Sequence, residues 1–186
     1  MPLSITLATA APHEAHTRDQ LRALLERYDL RRWQWTDTVV IQDGVVPHSH
    51  PVLTLNTRFP DDSLLVLATY VHEQLHWFMG TRWEQAQAAI AEVKARYPRV
   101  AVGYPRGARD AASSYLHYLI CALEYATLIE LVGPDGAHRA ITVWCADHYT
   151  DIYAAVLRES AWLDELLARH GLRDCTVPDR SREPRG

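Results

Sequence analysis

The chain has 186 residues, of which 48% are hydrophobic and 23% are charged, and its formal net charge is −4. These values fit one folded domain with a substantial core, and they disfavour an extended nucleic-acid surface, which usually carries a basic excess. The three cysteines, Cys121, Cys145 and Cys175, form no Cys-x-x-Cys pair. A disulfide framework or a thiolate zinc site is therefore not expected.

The first third of the chain predicts one helix and a small sheet. Leu3–Ala8 alternates like a short strand and lacks the basic start of a signal peptide. An amphipathic helix follows at about Ala15–Tyr28, and strand patterns follow at Trp33–Ile41 and Val52–Thr57. No uninterrupted apolar run reaches the ~20 residues that cross a bilayer. We therefore expect a cytoplasmic protein without membrane contact.

The remainder predicts helices. The first begins at about Asp61, where acidic side chains favour a helix start, and it ends at Met79 before a glycine. Its segment Leu64–Ala68 is apolar on every side, which is typical of a buried central helix. Further helices are predicted at Trp83–Tyr97, Ala111–Leu131 and His148–His170.

These elements predict an α+β fold that is mostly helical. The small N-terminal sheet packs on the buried helix, and the second half of the chain is helical. We expect one domain over residues 1–172. Residues 173–186 are rich in Arg, Asp, Pro and Ser, and we expect them to form a disordered tail.

An HExxH motif lies in the middle of the predicted buried helix, as His72, Glu73 and His76. Histidines four residues apart share a helical face, so both imidazoles can reach one Zn²⁺ ion. A glutamate after the first histidine can take a proton from zinc-bound water and pass it on. The composition gives roughly 0.03 chance matches to this pattern. The alternative is a pair of core histidines satisfied by hydrogen bonds.

The third metal ligand must come from another helix, because Phe78, Met79 and Arg82 stand where the same helix could have supplied it. The Ala111–Leu131 helix offers His117 and Glu124, about 10 Å apart along one face. We favour Glu124 as the ligand, because an unpaired carboxylate in its apolar surroundings would be costly. His117 is then expected to line the cleft as a catalytic residue, although the two roles could be exchanged.

His72, Glu73, His76 and Glu124 together resemble the gluzincin branch of the zincin metallopeptidases, over about residues 53–131. The resemblance implies Zn²⁺ as cofactor, the two histidines and Glu124 as ligands, and Glu73 as general base. It also implies a peptide or protein substrate, bound along an edge strand at about Val52–Thr57. Two features depart from the family: the glutamate comes late in the chain, and Leu128 stands where an acidic residue often follows it.

Tyr149 is the expected oxyanion-stabilising residue, because it lies near a helix start together with His148 and Tyr153. Trp77, next to His76, could form a wall of the site, and His48 is assigned to a surface loop. The leading function is thus a small zinc metallopeptidase. The alternative is a catalytically silent, zinc-stabilised binding or regulatory protein, although Glu73 favours chemistry because zinc binding alone does not require it.

Overall fold

The computed structural model describes residues 3–178, and it has the predicted mostly helical α+β architecture. A short 3₁₀ helix at Leu30–Trp33 precedes the second strand. In chain order the elements are β1 (Ser4–Leu7), α1 (Pro12–Arg27), β2 (Thr38–Ile41), β3 (Leu53–Leu55), α2 (Ser63–Thr81), α3 (Trp83–Arg96), α4 (Ala111–Asp147), α5 (Thr150–Arg158) and α6 (Ser160–Arg169).

The sheet is three-stranded and parallel in the order β1-β2-β3, with Val39 opposite both Ile5 and Leu53. Strand β3 is wholly buried and packs on α2. It is an edge of the sheet within the described part of the chain, as the resemblance implied for a peptide-binding strand. However, the N–H and C=O of Thr54 already pair with the backbone of His48. The backbone groups of Thr54 are therefore not available to pair with a substrate strand.

Helix α2 is the central element of the fold. It begins after Asp62, whose carboxylate accepts a hydrogen bond from the Leu64 N–H. The segment Leu65–Ala68 is buried, as its apolar sequence predicted. Contacts with α1, β3, α3 and α4 surround the helix. This burial holds the HExxH side chains in fixed positions at the middle of the protein.

Helix α4 differs from its prediction because it continues beyond a break. Gly133 has φ 78° and ψ 169°, a conformation that side-chain-bearing residues essentially do not adopt, and Pro134 follows it. The break falls where the sequence predicted the helix end, but a second limb then runs to Asp147. The single helix predicted at His148–His170 is wrong, because it is divided into α5 and α6 at Glu159.

By length and composition α4 could cross a membrane, yet 56% of its most apolar window is buried inside the fold. Such burial is typical of a core helix. Residues 173–178, where the sequence predicted the start of a tail, make hydrogen bonds with the fold. Cys175 is buried and its carbonyl accepts a hydrogen bond from Trp35 Nε1, while the Val177 N–H donates to Arg32. The rest of the predicted tail, 179–186, lies outside the described residues.

Candidate metal centre and adjoining cleft

Three imidazoles converge between α2 and α4. The ring centroids of His72 and His76 lie 5.2 Å apart, and the ring of His117 lies 5.5 Å and 5.1 Å from them. One side-chain nitrogen from each histidine lies within 4.8 Å of the others. His72 and His76 come from successive turns of α2, and His117 comes from the second turn of α4, which crosses against it. The arrangement is a compact set of three nitrogen donors.

Two of the three rings have a defined orientation. The Nδ1 of His72 donates to Oε2 of Glu124 at 2.8 Å, and the Nδ1 of His117 donates to the backbone oxygen of Ser113 at 2.7 Å. Each Nδ1 therefore carries a proton, which leaves Nε2 as the nitrogen through which the neutral ring can bind a metal. A histidine held in this way offers Nε2 to a metal ion.

Glu124 is fully buried, and both its carboxylate oxygens have hydrogen-bond donors. Tyr153 donates its hydroxyl to Oε2 at 2.7 Å, in addition to His72, and Trp144 Nε1 donates to Oε1 at 3.0 Å. These hydrogen bonds satisfy the carboxylate, so an acidic group can be buried in this apolar part of the helix. Three hydrogen bonds thus use most of the acceptor capacity of the carboxylate, and only Oε1 keeps a free lone pair.

A second potential metal-binding group combines His72, Cys121 and Glu124. Cys121 is completely buried, and burial raises the pKa of its thiol well above the ordinary value. A thiol that resists ionisation is a poor ligand, because metals bind the thiolate. The three-histidine group is therefore the better donor set.

Glu73 is 6% exposed and lines a cleft next to the histidines. Its carboxylate has no hydrogen-bond partner within residues 3–178, and neither oxygen is a buried atom without a partner. The carboxylate therefore faces the cleft. Burial raises its pKa to about 7, against the opposing effects of His72 and His48. Such a group can accept and release a proton near neutral pH.

Burial also determines the charge of the histidines in the metal-free chain. It lowers the pKa of His76 to about 2 and that of His117 to about 3, with further lowering from the neighbouring imidazoles. Burial acts to lower the pKa of His72 too, but the hydrogen bond and charge of Glu124 outweigh it and raise the pKa. His76 and His117 are thus neutral at pH 7, as metal binding requires.

The cleft has a volume of about 520 Å³ and opens beside His72 and Glu73. At one side Arg58 forms a bidentate ion pair with Asp147, at 2.7 and 2.6 Å. The same carboxylate accepts a hydrogen bond of 2.8 Å from Nδ1 of His148, which also lines the cleft. Asp147 thereby orients a fourth histidine toward the site.

Tyr149, the tyrosine that the sequence singled out, lies next to the candidate metal-binding histidines. Its ring centroid is 4.3 Å from that of His117 and 6.3 Å from that of His72, and it lines the cleft. Its backbone has φ 49° and ψ 36°, the left-handed region, which is uncommon for an aromatic residue. Strained residues of this kind concentrate at functional sites.

Trp77 does not belong to the lining of the cleft, so it does not form the wall that the sequence suggested. Its Nε1 donates to the Ser49 carbonyl at 2.9 Å, and its ring stacks on His50 at 4.3 Å. These contacts fix the segment that carries Val45 and Val46 into the cleft wall. The exposed His50 therefore has a packing contact, although His48 and His50 remain on the surface as predicted.

The structure brings together all six residues named from the sequence: His72, Glu73, His76, His117, Glu124 and Tyr149. Sequence reasoning missed Trp144 and Asp147, because both lie on the limb of α4 after Gly133, which was not predicted. Tyr153 carried one signal, since it follows Tyr149 by one helical turn.

Comparisons of the chain with models of known protein families, with characterised proteins and with solved structures gave no match. The resemblance to gluzincins accordingly stays a prediction from four residues. Function has to be inferred from the geometry of the site itself.

Proposed function

We propose that this protein is a zinc-dependent hydrolase, a small metallopeptidase, that binds one Zn²⁺ through His72, His76 and His117. The observation that carries the proposal is the convergence of three imidazoles, those of His72 and His117 buried and that of His76 partly buried, with an unpaired carboxylate, Glu73, beside a cleft. Nitrogen donors suit zinc, and three protein ligands leave a position open, as in catalytic zinc sites. A structural zinc site would instead be closed by a fourth ligand.

His117 is proposed as the third ligand in place of Glu124. One of its ring nitrogens belongs to the three-donor group, whereas the oxygens of Glu124 accept hydrogen bonds from His72, Tyr153 and Trp144. Glu124 is then the carboxylate that fixes the orientation of His72. Carboxylates commonly hold metal-binding histidines in this way.

The chemistry is divided among the residues around the cleft. When bound, Zn²⁺ supplies a Lewis acid that polarises a carbonyl oxygen and acidifies water. Glu73 takes up a proton on its carboxylate and delivers it to the leaving group. Tyr149, whose hydroxyl stays protonated because burial raises its pKa, can donate a hydrogen bond to a developing oxyanion. His148 donates its Nδ1 proton to Asp147 and, since burial lowers its pKa, keeps Nε2 as an acceptor. The cleft volume is within the range of small-molecule and side-chain sites.

Metal analysis is the first test. Protein purified without added zinc should contain about one equivalent of Zn²⁺ per chain, and His117→Ala should lose most of it. His138→Ala is a matched control, because it removes an exposed histidine from the same helix. A wild-type protein that binds no zinc in a direct titration would exclude the proposal.

A second test separates hydrolase from binding protein. Glu73→Gln should keep its zinc and lose hydrolysis of a peptide library by about 10²–10⁴-fold. Glu84→Gln, at an exposed position of α3, is the control and should cleave like the wild type. If the wild type binds zinc and cleaves nothing, the zinc-stabilised binding protein becomes the better explanation.

A further inference from the structure

The mouth of the cleft carries the two most exposed large hydrophobic residues of the described chain. Val46 is 82% exposed and Tyr104 is 80% exposed, and both line the cleft. The next most exposed, Trp83 and Val102, at 52% and 51%, do not line it. Exposed apolar side chains grouped at a cavity are typical of a ligand-binding surface.

Both residues are held in place by hydrogen bonds within and around their loops. Next to Val46, the Val45 carbonyl accepts a hydrogen bond from Asn56 Nδ2 at 3.3 Å. Next to Tyr104, the Gly103 N–H donates to Ala108 at 2.7 Å, and the Pro105 carbonyl accepts from the Thr150 N–H at 3.0 Å. The exposed side chains of Val46 and Tyr104 therefore stand on loops whose backbone is fixed by hydrogen bonds. A preformed apolar surface binds at a lower entropic cost than a mobile one.

The inner wall of the cleft is also apolar. Phe59 and Trp144 face each other with their ring centroids 5.5 Å apart, and both line the cleft. The two arginines of the lining are each already paired: Arg58 with Asp147, and Arg109 with Asp110. An anionic group entering the cleft would have to compete with an existing ion pair, whereas an apolar group meets surfaces that match it.

We infer that this cleft selects substrates by a large apolar group, preferably aromatic, which it holds beside Glu73. The inference rests on the proposed hydrolase function and specifies its substrate class. The ring enters between the rim residues Val46 and Tyr104 and packs against Phe59 and Trp144, so the scissile bond lies next to the carboxylate of Glu73. A volume of about 520 Å³ accommodates a phenylalanine-sized side chain together with adjoining backbone.

The test uses peptide substrates that are identical except for one residue next to the scissile bond. That residue is phenylalanine, leucine, alanine or aspartate, and it is varied first on one side of the bond and then on the other. Burial of a benzyl group in place of a methyl group should raise kcat/KM by about 10- to 100-fold for phenylalanine over alanine. Leucine should fall between them, and aspartate should be poorest. In parallel, binding of N-acetyl-L-phenylalanine amide and N-acetyl-L-alanine amide is measured by NMR titration, both with and without zinc.

Variants locate the preference at the rim. A double change, Val46→Ser with Tyr104→Ser, should reduce the phenylalanine-to-alanine ratio about 10-fold or more and leave zinc content unaltered. Both positions are strongly exposed, so the variant should fold normally. Val102→Ser is the matched control, because it removes an exposed apolar side chain from the same loop outside the cleft.

The outcomes separate this inference from the proposed function. Cleavage that is indifferent to the varied residue, or a ratio unchanged in the double variant, overturns the selectivity and leaves the hydrolase intact. The wild type could bind the phenylalanine amide selectively, and the double variant not, while neither cleaves any peptide. That result supports the apolar cleft and excludes the proposed hydrolase function. A preference for aspartate overturns the inference directly.

Discussion

The Nδ1 of His72 donates a hydrogen bond of 2.8 Å to the buried carboxylate of Glu124, 52 residues away in the chain. Tyr153 and Trp144 donate to the same carboxylate, so a ring of three donors fixes its position. A neutral His72 thereby carries its proton on Nδ1, and its Nε2 is left for a metal. In this arrangement His72 is the metal ligand, and Glu124 is the residue that orients it.

Replacement of Glu124 should therefore weaken zinc binding without abolishing it. Glu124→Gln is expected to lower zinc affinity by about 10- to 100-fold, because glutamine has one acceptor oxygen in place of two and lacks the negative charge that strengthens the bond from His72. A zinc-competition titration with a chromogenic chelator measures this change. Glu130→Gln, exposed on the same helix, is the control for removal of one carboxylate.

Comparison with His117→Ala decides between the two assignments. If Glu124→Gln loses zinc as completely as His72→Ala while His117→Ala retains it, Glu124 is the ligand that the sequence first indicated. Circular dichroism of each variant should be that of the wild type, which ensures that a loss of zinc reflects the site and not unfolding.

The sequence was sufficient for the motif and its helix, but not for the division of roles around it. The HExxH spacing and the apolar Leu64–Ala68 segment are local signals, and both were read correctly as a buried helix. The donors to Glu124 are not local. Trp144 reaches it only because α4 breaks at Gly133 and its second limb packs in the core. Because the sequence does not show that Trp144 and Tyr153 donate to Glu124, it favoured a metal ion as the partner of this buried carboxylate.

Helix boundaries show the same limit. The Val132-Gly133-Pro134 sequence marks a real interruption, yet glycine and proline signals cannot tell a helix end from a break after which the helix resumes. The division between α5 and α6 at Glu159 carried no glycine or proline signal at all. It is a tertiary feature, which local propensity does not encode.

Gln74, in the middle of the HExxH motif, is expected to have a purely structural role. It is fully buried, and its Oε1 accepts hydrogen bonds from the N–H groups of Trp35 and Thr36 at 2.8 and 3.0 Å. Gln74→Ala should lower the free energy of unfolding by about 1–3 kcal/mol, because two partly buried N–H groups lose their acceptor. Urea unfolding measures it. Gln87→Ala, exposed on α3, should change it by less than about 0.5 kcal/mol.

Glu14 should make stability depend on pH. Its buried carboxylate accepts backbone N–H bonds from Thr9, Ala11 and Asp43. Burial acts to raise its pKa, but the hydrogen bonds outweigh burial and hold the pKa below the ordinary value of 4.5. A depressed folded-state pKa contributes stability above the unfolded value, and this contribution is lost as the pH falls through the folded value.

Thermal unfolding between pH 3 and pH 7 tests this coupling. The Tm difference between the wild type and Glu14→Gln should be largest at neutral pH and should shrink as the pH falls below about 4.5. Glu26→Gln, on the exposed face of the same helix, controls for the loss of one negative charge. A Tm difference that stays constant down to pH 3 would show that the ionised carboxylate is not the source of the stability.

Gly133 and Gly80 should respond oppositely to the same substitution. An added Cβ would meet no atom within 4 Å at either position, so packing does not distinguish them. The backbone does: Gly133 has φ 78° and ψ 169°, whereas Gly80 lies within the helical run of α2. Gly133→Ala should therefore cost about 1–3 kcal/mol in the free energy of unfolding. Gly80→Ala should gain roughly 0.5–1 kcal/mol, because alanine favours the helix.

Denaturant unfolding of the two variants measures both effects against the wild type. Gly133 also sets the direction of the limb that carries Trp144, which donates to Glu124. The destabilised variant should accordingly bind zinc more weakly than the wild type, while Gly80→Ala should not. Equal stability of the two variants would mean that the break in α4 tolerates a side chain, and that the path from α4 to the carboxylate does not depend on this glycine.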